Sequence, residues 1–413
     1  MGPESRARRL SAAALTATLA VLIAACAPAH PNSIFHNHTD FNREVGHLWN
    51  ILFWLGSFVF VFVETLLVVT LIRFRKREGQ PAPQQVHGNA RLEILWTITP
   101  AVILAFIAVP SVETIFRTEA PAPANALQVT VIGHQWWWEF DYPTLGFKTA
   151  NEVYLPIGRT VNFTLKSADV IHSFWIPELG GKRDVVSNRT NYLWYTPDSV
   201  SDDVFNGFCA EYCGTSHANM RFKAFTVSQA EFDSWAKHEA SPAVALDTGS
   251  TPRASARTAA AAPQAAPSTA SFIAFDRSKI PAYAVPATPI PAGLTIDSTL
   301  VGNPVEGEKL MATSMDALCM SCHTIRGNPR MAGVIGPDLT HIASRSSIAG
   351  GLFPNDRHHL ELWIKNARLM KPGVKMYTFG VGQFDPETGK TSTYGKLTDQ
   401  QIADIVAYLQ TLK

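Results

Sequence analysis

Cys209-Ala210-Glu211-Tyr212-Cys213-Gly214-Thr215-Ser216-His217-Ala218-Asn219-Met220 sets two thiols, an imidazole, a carboxylate and a thioether within twelve residues. Cys209, Cys213 and His217 recur every four residues, the spacing of one helix face. Gly214 and the flanking Thr, Ser and Asn argue instead for a loop. A second imidazole, His172, is available upstream in Asp169-Val170-Ile171-His172-Ser173-Phe174-Trp175. This soft and borderline set suits copper, zinc or iron rather than magnesium or calcium. A Cys/Cys/His/His zinc site fits four of the groups. Zinc leaves Met220 unexplained, whereas a thioether favours copper. A disulfide between Cys209 and Cys213 is a third reading in an oxidising compartment.

Around this stretch the chain breaks into short β-rich runs at residues 127–132, 160–165, 191–195 and 222–227. Their alternation, their β-branched and aromatic content and the Pro, Gly and Asp breaks between them predict a sandwich or Greek-key barrel. Gly133-His134-Gln135-Trp136-Trp137-Trp138 lies early in this region. Three adjacent tryptophans cannot all face one side of a strand, so at least one is expected to meet a partner or the membrane surface.

Upstream, two apolar runs at about residues 48–72 and 94–116 each have the length of a membrane span. Pro100 and Pro110 fall in the second and are tolerated where neighbouring helices satisfy the backbone. Arg73, Arg75, Lys76, Arg77 and Arg91 cluster between the runs, which puts that connection inside and everything after Thr118 outside. Glu64 lies deep in the first run, where a hydrogen bond to a partner helix is preferred over a proton path. Glu93, at the inner start of the second run, reads without further context as a helix-start carboxylate. Residues 1–25 read as an export signal, with Arg6, Arg8 and Arg9 before an Ala/Leu-rich run that ends in Ile23-Ala24-Ala25-Cys26. That run is shorter than the ~20 residues of a span; the other reading is an uncleaved helix with a buried cysteine.

Downstream, residues 240–298 are poor in aromatics and rich in Ala, Pro, Ser and Thr, a composition that predicts an extended, flexible tether. Beyond it stands Cys319-Met320-Ser321-Cys322-His323, the attachment signature of a c-type haem. The thiols add to the vinyl groups, and His323 is placed as an iron ligand. A chance redox or zinc pair is the plainer reading of five residues alone. Residues 397–409 close the chain with a capped, apolar-periodic helix. All five cysteines fall in a chemical context, leaving none for an ordinary disulfide framework. The length of 413 residues and 46% hydrophobic content suit a multidomain chain, part membrane and part globular, and a net charge of +1 offers no case for nucleic acid.

His172 followed by Cys-x-Glu-x-Cys-Gly-x-x-His-x-x-Met resembles the dinuclear CuA site of subunit II of the haem–copper oxidases. The resemblance implies a cupredoxin fold and a copper pair bridged by Cys209 and Cys213. His172, His217, Met220 and the Glu211 carbonyl would be terminal ligands, with the Glu211 carboxylate reaching a magnesium ion at the border with subunit I. It implies that Trp136 is an exposed tryptophan through which a cytochrome c donor passes electrons; for Trp137 and Trp138 the plainer reading is aromatic packing against the membrane and subunit I. It implies that Glu93 stands at the mouth of a proton channel in subunit I. The segment before Cys26 resembles a bacterial lipobox, which would make Cys26 a lipidated first residue.

The C-terminal part resembles a small class I cytochrome c. That likeness implies Met376, after Pro372-Gly373, as the sixth iron ligand, although Tyr377 stands where a proline is usual. Met370 competes for the role, and His358 and His359 are poorer candidates. Gly336-Pro337-Asp338-Leu339 resembles the segment whose proline carbonyl orients the proximal histidine; its plainer reading is a turn. Together the likenesses are to subunit II of a bacterial caa-type cytochrome c oxidase. The implied layout is a signal peptide (1–25), a lipidated N-terminus with a transmembrane hairpin (26–118), a CuA domain (119–239), a linker (240–298) and an all-α cytochrome c domain (299–413). The implied route runs from an external donor, such as cytochrome c or a quinol–cytochrome c reductase, through haem c and CuA to the haem of subunit I. There oxygen is reduced to water with proton pumping; subunit III is a further partner, and the location is the outer, periplasmic face of the bacterial inner membrane. A nitric oxide reductase fed by a CuA subunit is the alternative. A copper-storage lipoprotein is disfavoured by the hairpin and Glu93.

Overall fold

Thr39 begins the first long helix: its hydroxyl accepts the Asn42 N–H, and α1 (Asp40–Arg73) runs on for 34 residues. Asn89 likewise caps α2 (Ala90–Thr118), which holds Pro100 and Pro110 within its 29 residues. The caps, rather than the apolar runs, set where both helices start. Each is long and apolar enough to cross a membrane, and large apolar side chains are exposed along both. The computed structural model describes residues 16–17, 32–77, 79, 88–198, 203–243, 280–281, 284 and 288–413. Cys26, nearly all of the proposed signal segment and the low-complexity middle of the linker lie outside them.

Strands follow the hairpin. One five-stranded sheet contains β1 (Leu127–His134), β2 (Trp137–Tyr142), β3 (Phe147–Ala150), β5 (Val161–Ser167) and β8 (Asn191–Tyr195), in the order β3-β2-β1-β5-β8. The other contains β4 (Glu152–Pro156), β6 (His172–Trp175), β7 (Arg183–Val185), β9 (Asp203–Cys209) and β10 (Arg221–Val227), in the order β4-β10-β9-β6-β7. β1 pairs in parallel with β5, and β4 with β10. Alternate residues of β1 are buried, as expected where one face of a strand meets a core. Phe140, Phe163, Phe174 and Phe222 fill that core, with Phe174 and Phe222 stacked at 5.0 Å. Trp138 is fully buried among them, which corrects the expectation that it packs against the membrane. After β10, Ser228 and Glu231 form a capping box that starts α3 (Gln229–Ala240).

The C-terminal unit is helical: α4 (Pro304–Thr313), α5 (Cys319–Cys322), α6 (Arg357–Lys365), α7 (Ala367–Met370) and α8 (Asp399–Leu409) surround a second core that includes Met311, Leu360, Ile402 and Ile405. First and last helices touch at Gly307, where a Cβ would stand 2.0 Å from the Asp404 carbonyl oxygen. Only a glycine lets the backbones come that near.

This unit sits on the β domain. The buried carboxylate of Glu152 in β4 accepts from Ser346 N (2.7 Å), Ser346 Oγ (2.5 Å) and Ser347 N (3.2 Å). Lys371 Nζ donates to Trp136 O at 2.6 Å and Ala349 O at 2.9 Å. Polar groups buried at a seam need such partners, because an unpaired one costs about 1–3 kcal/mol.

Candidate metal centre and adjoining haem cavity

The twelve-residue stretch is a loop. Cys209 ends β9, a single 3-10 turn spans His217–Asn219, and β10 starts after Met220. Cys209 N donates to Met220 O at 3.0 Å, so the two ends of the loop are tied together. His172 opens β6 in the same sheet and is fully buried. Its Nε2 lies 2.8 Å from Asp169 Oδ1, which leaves Nδ1 directed to Cys209 Sγ at 3.8 Å. Burial pushes the Asp169 carboxyl up, but hydrogen bonds from His172, Gln135 N and Val170 N outweigh it and hold the group at about 2. A carboxylate behind a ligating imidazole fixes its tautomer and orientation.

The two sulfurs stand 3.7 Å apart as free cysteines. His217 Nδ1 is 3.7 Å and Met220 Sδ 3.8 Å from Cys213 Sγ, and Glu211 O is 3.2 Å from Cys209 Sγ. The hydrogen bond between the sulfurs, with His172 beside it, pulls the Cys209 thiol far below its ordinary value, and the same hydrogen bond together with burial pushes Cys213 up. One imidazole thus approaches each sulfur, with a thioether at one end and a carbonyl at the other. His172, Cys209 and Cys213 form a compact group within 4.8 Å, whereas His217 approaches Cys213 instead. The donors therefore fit a pair of soft cations sharing two thiolates better than one tetrahedral ion. The Glu211 side chain is exposed.

A cavity of about 210 Å³ opens beside this centre, lined by Cys319, Cys322, His323 and Met376 and also by His134, Trp136 and Trp137 of the β domain. His323 Nδ1 lies 2.8 Å from Pro337 O, so Nε2 is the nitrogen left for a ligand. Burial lowers the His323 pKa, favouring the neutral ligating form. Met370 is buried in the domain core, His358 is exposed, and His359 pairs with Asp356 at 2.8 Å. Of these and Met376, only Met376 lines the cavity. The mostly apolar lining, the paired cysteines and the oriented imidazole fit a covalently held haem.

Trp136 is not on an open surface. It is 8% exposed because the C-terminal unit covers it. Gly373, with φ at +80°, lies so close that a Cβ there would be 2.9 Å from the indole ring. On its other side, Trp136 Nε1 donates to Cys213 O at 3.0 Å, and Gln135 Nε2 donates to the same oxygen at 2.8 Å. Trp137 stacks on His134 at 4.2 Å and faces the cavity rather than a membrane. Glu93 Oε1 accepts the Asn89 N–H at 3.2 Å, closing the cap of α2, and Glu64 is exposed on α1. Lys371, Gln135 and Glu152 went unnoticed as sequence, because single polar residues carry no motif.

Residues 36–114 match the family described as "Cytochrome C oxidase subunit II, transmembrane domain", residues 144–227 match "Cytochrome C oxidase subunit II, periplasmic domain", and residues 305–413 match "Cytochrome c". The cytochrome c oxidase subunit 2 of Alkalihalophilus pseudofirmus is 31% identical over 363 residues, covering 86% of this chain and 84% of that protein. That of Bacillus sp. strain PS3 is 30% identical over 355 residues, covering 82% and 80%, and that of Bacillus subtilis is 31% identical over 359 residues, covering 83% and 81%. The anchoring helices, the outward-facing copper domain and the haem-binding domain follow one another in this chain as the three matches do. The chain therefore belongs to the cytochrome c oxidase subunit II family, in the form fused to a cytochrome c domain.

Proposed function

We propose that this subunit collects single electrons at its cytochrome domain and passes them by way of Trp136 to the Cys209–Cys213 centre, and from there to subunit I. Copper and haem, when bound, supply the one-electron chemistry. His172, Cys209, Cys213, His217, Met220 and the Glu211 carbonyl would hold the coppers; Cys319, Cys322, His323 and Met376 would hold the haem. The protein's part is to keep both ligand sets rigid and dry. His172 is locked by Asp169, His323 by the Pro337 carbonyl, and Trp138 and Phe174 wall the copper side from solvent.

The observation that carries this reading is the shared cavity wall: Trp136 lines the haem cavity and hydrogen bonds to the carbonyl of Cys213. Because Trp136 is covered, an external donor such as cytochrome c or a quinol–cytochrome c reductase would deliver to the cytochrome domain. The exposed Glu211 carboxylate suits a magnesium ion at the border with subunit I, and Glu93 a proton path into that subunit. Oxygen reduction to water, coupled to proton pumping, belongs to subunit I, with subunit III beside it. The setting is the bacterial cell membrane, with Cys26 as the lipid anchor.

The test is the full chain matured with haem and reconstituted with copper, studied by optical and electron paramagnetic resonance spectra with a metal count. Two coppers, a seven-line mixed-valence signal and one low-spin haem are expected. Zinc at the cysteine loop after copper is offered, or one ordinary cupric signal, would overturn the copper assignment.

A further inference from the structure

Apart from the copper centre, a second group of ligating side chains stands together among the described residues. His36, His38 and Glu178 bring their ligand atoms within 4.8 Å of one another. The two histidines lie in the short segment before α1, and Glu178 follows β6. His36 Nδ1 is 3.3 Å and His38 Nε2 3.8 Å from the same carboxylate oxygen, Oε2. The other oxygen, Oε1, accepts the Asn32 N–H at 3.0 Å. The Glu178 side chain is 7% exposed, while the imidazoles are about one-third exposed, at 34% and 32%.

The two stretches that carry these groups are clamped on either side. The Thr39 hydroxyl donates to Leu179 O at 2.5 Å, Asn42 Nδ2 donates to Pro177 O at 3.0 Å, and the His38 carbonyl accepts from Asp198 N at 2.9 Å. The ring of His38 also packs on Phe205 at 5.1 Å.

We propose that His36, His38 and Glu178 form a divalent transition-metal site, zinc in preference, that fastens the start of α1 to the copper-bearing domain. Zinc–nitrogen and zinc–oxygen bonds of about 2.0–2.2 Å at tetrahedral angles put neighbouring ligand atoms roughly 3.3–3.5 Å apart. The observed separations of 3.3 and 3.8 Å need little adjustment to reach that edge. Two imidazoles and a carboxylate without a thiolate suit Zn²⁺ among borderline ions, and do not suit Ca²⁺ or Mg²⁺, which take oxygen ligands. A cation here also neutralises a carboxylate withdrawn from water, which is costly to bury as an anion without a positive partner. The part-exposed imidazoles give an ion a way in. The site shares no residue with the copper centre or the haem cavity.

The experiment uses the full chain in detergent, carrying its copper and haem, equilibrated with Zn²⁺ near neutral pH and freed of loose ion. Wild type is expected to retain one zinc per chain, with binding weakened at least tenfold in His36→Ala, His38→Ala and Glu178→Gln. His47→Ala, at an exposed position on α1, is expected to bind as wild type does. Co²⁺ as a replacement probe is expected to give tetrahedral visible bands in wild type that the three variants lack. Intact copper and haem spectra identify variants that have folded. If folded wild type retains no zinc, or if His36→Ala and His38→Ala retain as much as wild type, the three groups are an ordinary ion pair and the proposal is overturned.

Discussion

Cys213 meets Cys209 through its sulfur at 3.7 Å and Trp136 through its carbonyl at 3.0 Å, so this residue joins the proposed copper centre to the indole beside it. Replacing it as Cys213→Ser is expected to cut the copper count below two per chain and abolish the mixed-valence signal. The haem spectrum should be unchanged, which a paired optical and resonance measurement checks. Glu239, at the end of α3, is buried facing Arg345, Arg326 and Asp338 of the cytochrome domain, and burial raises its pKa from 4.5 to about 8. Docked, the carboxyl keeps its proton; with the domains apart, it releases it. Docking therefore has its full support below about pH 4.5 and loses it as pH rises to about 8. The loss is on the order of a few kcal/mol. Hydrogen exchange along the seam should show this slope in wild type and not in Glu239→Gln. The grouping of His172, Cys209 and Cys213 was legible as sequence because rare, reactive residue types recur at short spacing. The burial of Trp136 was not, because Gly373, which covers it, is distant in the chain and has no chemistry of its own.

Among elements, the four strand runs read from alternation appear as β1, β5, β8 and β10. Two of the others, β4 and β7, escaped that reading for physical reasons. β4 is buried along its whole length and β7 has three residues, so neither shows a two-residue alternation. The helix starts were misplaced because Thr39 and Asn89 cap polar first turns that lie outside the apolar runs. The closing helix α8 was legible from its cap at Thr398 and its apolar spacing. How closely it packs against α4 was not, since that depends on the missing side chain of Gly307. Gly307→Val is expected to force the two helices apart and destabilise the cytochrome domain by about 3 kcal/mol. Denaturant unfolding followed in the haem absorption would measure it.

At the scale of the whole molecule, composition and motif separated the membrane hairpin, the β domain and the cytochrome, but nothing in them said that the last two would lie against each other. The seam is made by Lys371, Glu152 and Ser346, ordinary residues whose partners belong to another domain. Gly373→Val is expected to push the ring of Trp136 aside. Both chromophores should keep their spectra while transfer from haem to copper slows at least tenfold, as read by flash reduction.

The seam also has a consequence for ionic strength. Charges in open solvent lose their hold on one another once salt shortens the screening length to about 8–10 Å, whereas buried contacts are screened far less. Lys371 and Glu152 are both buried and hydrogen bonded to the facing domain. Added salt should therefore slow reduction of the haem by an oppositely charged soluble donor and leave the next transfer, within the chain, at its original rate.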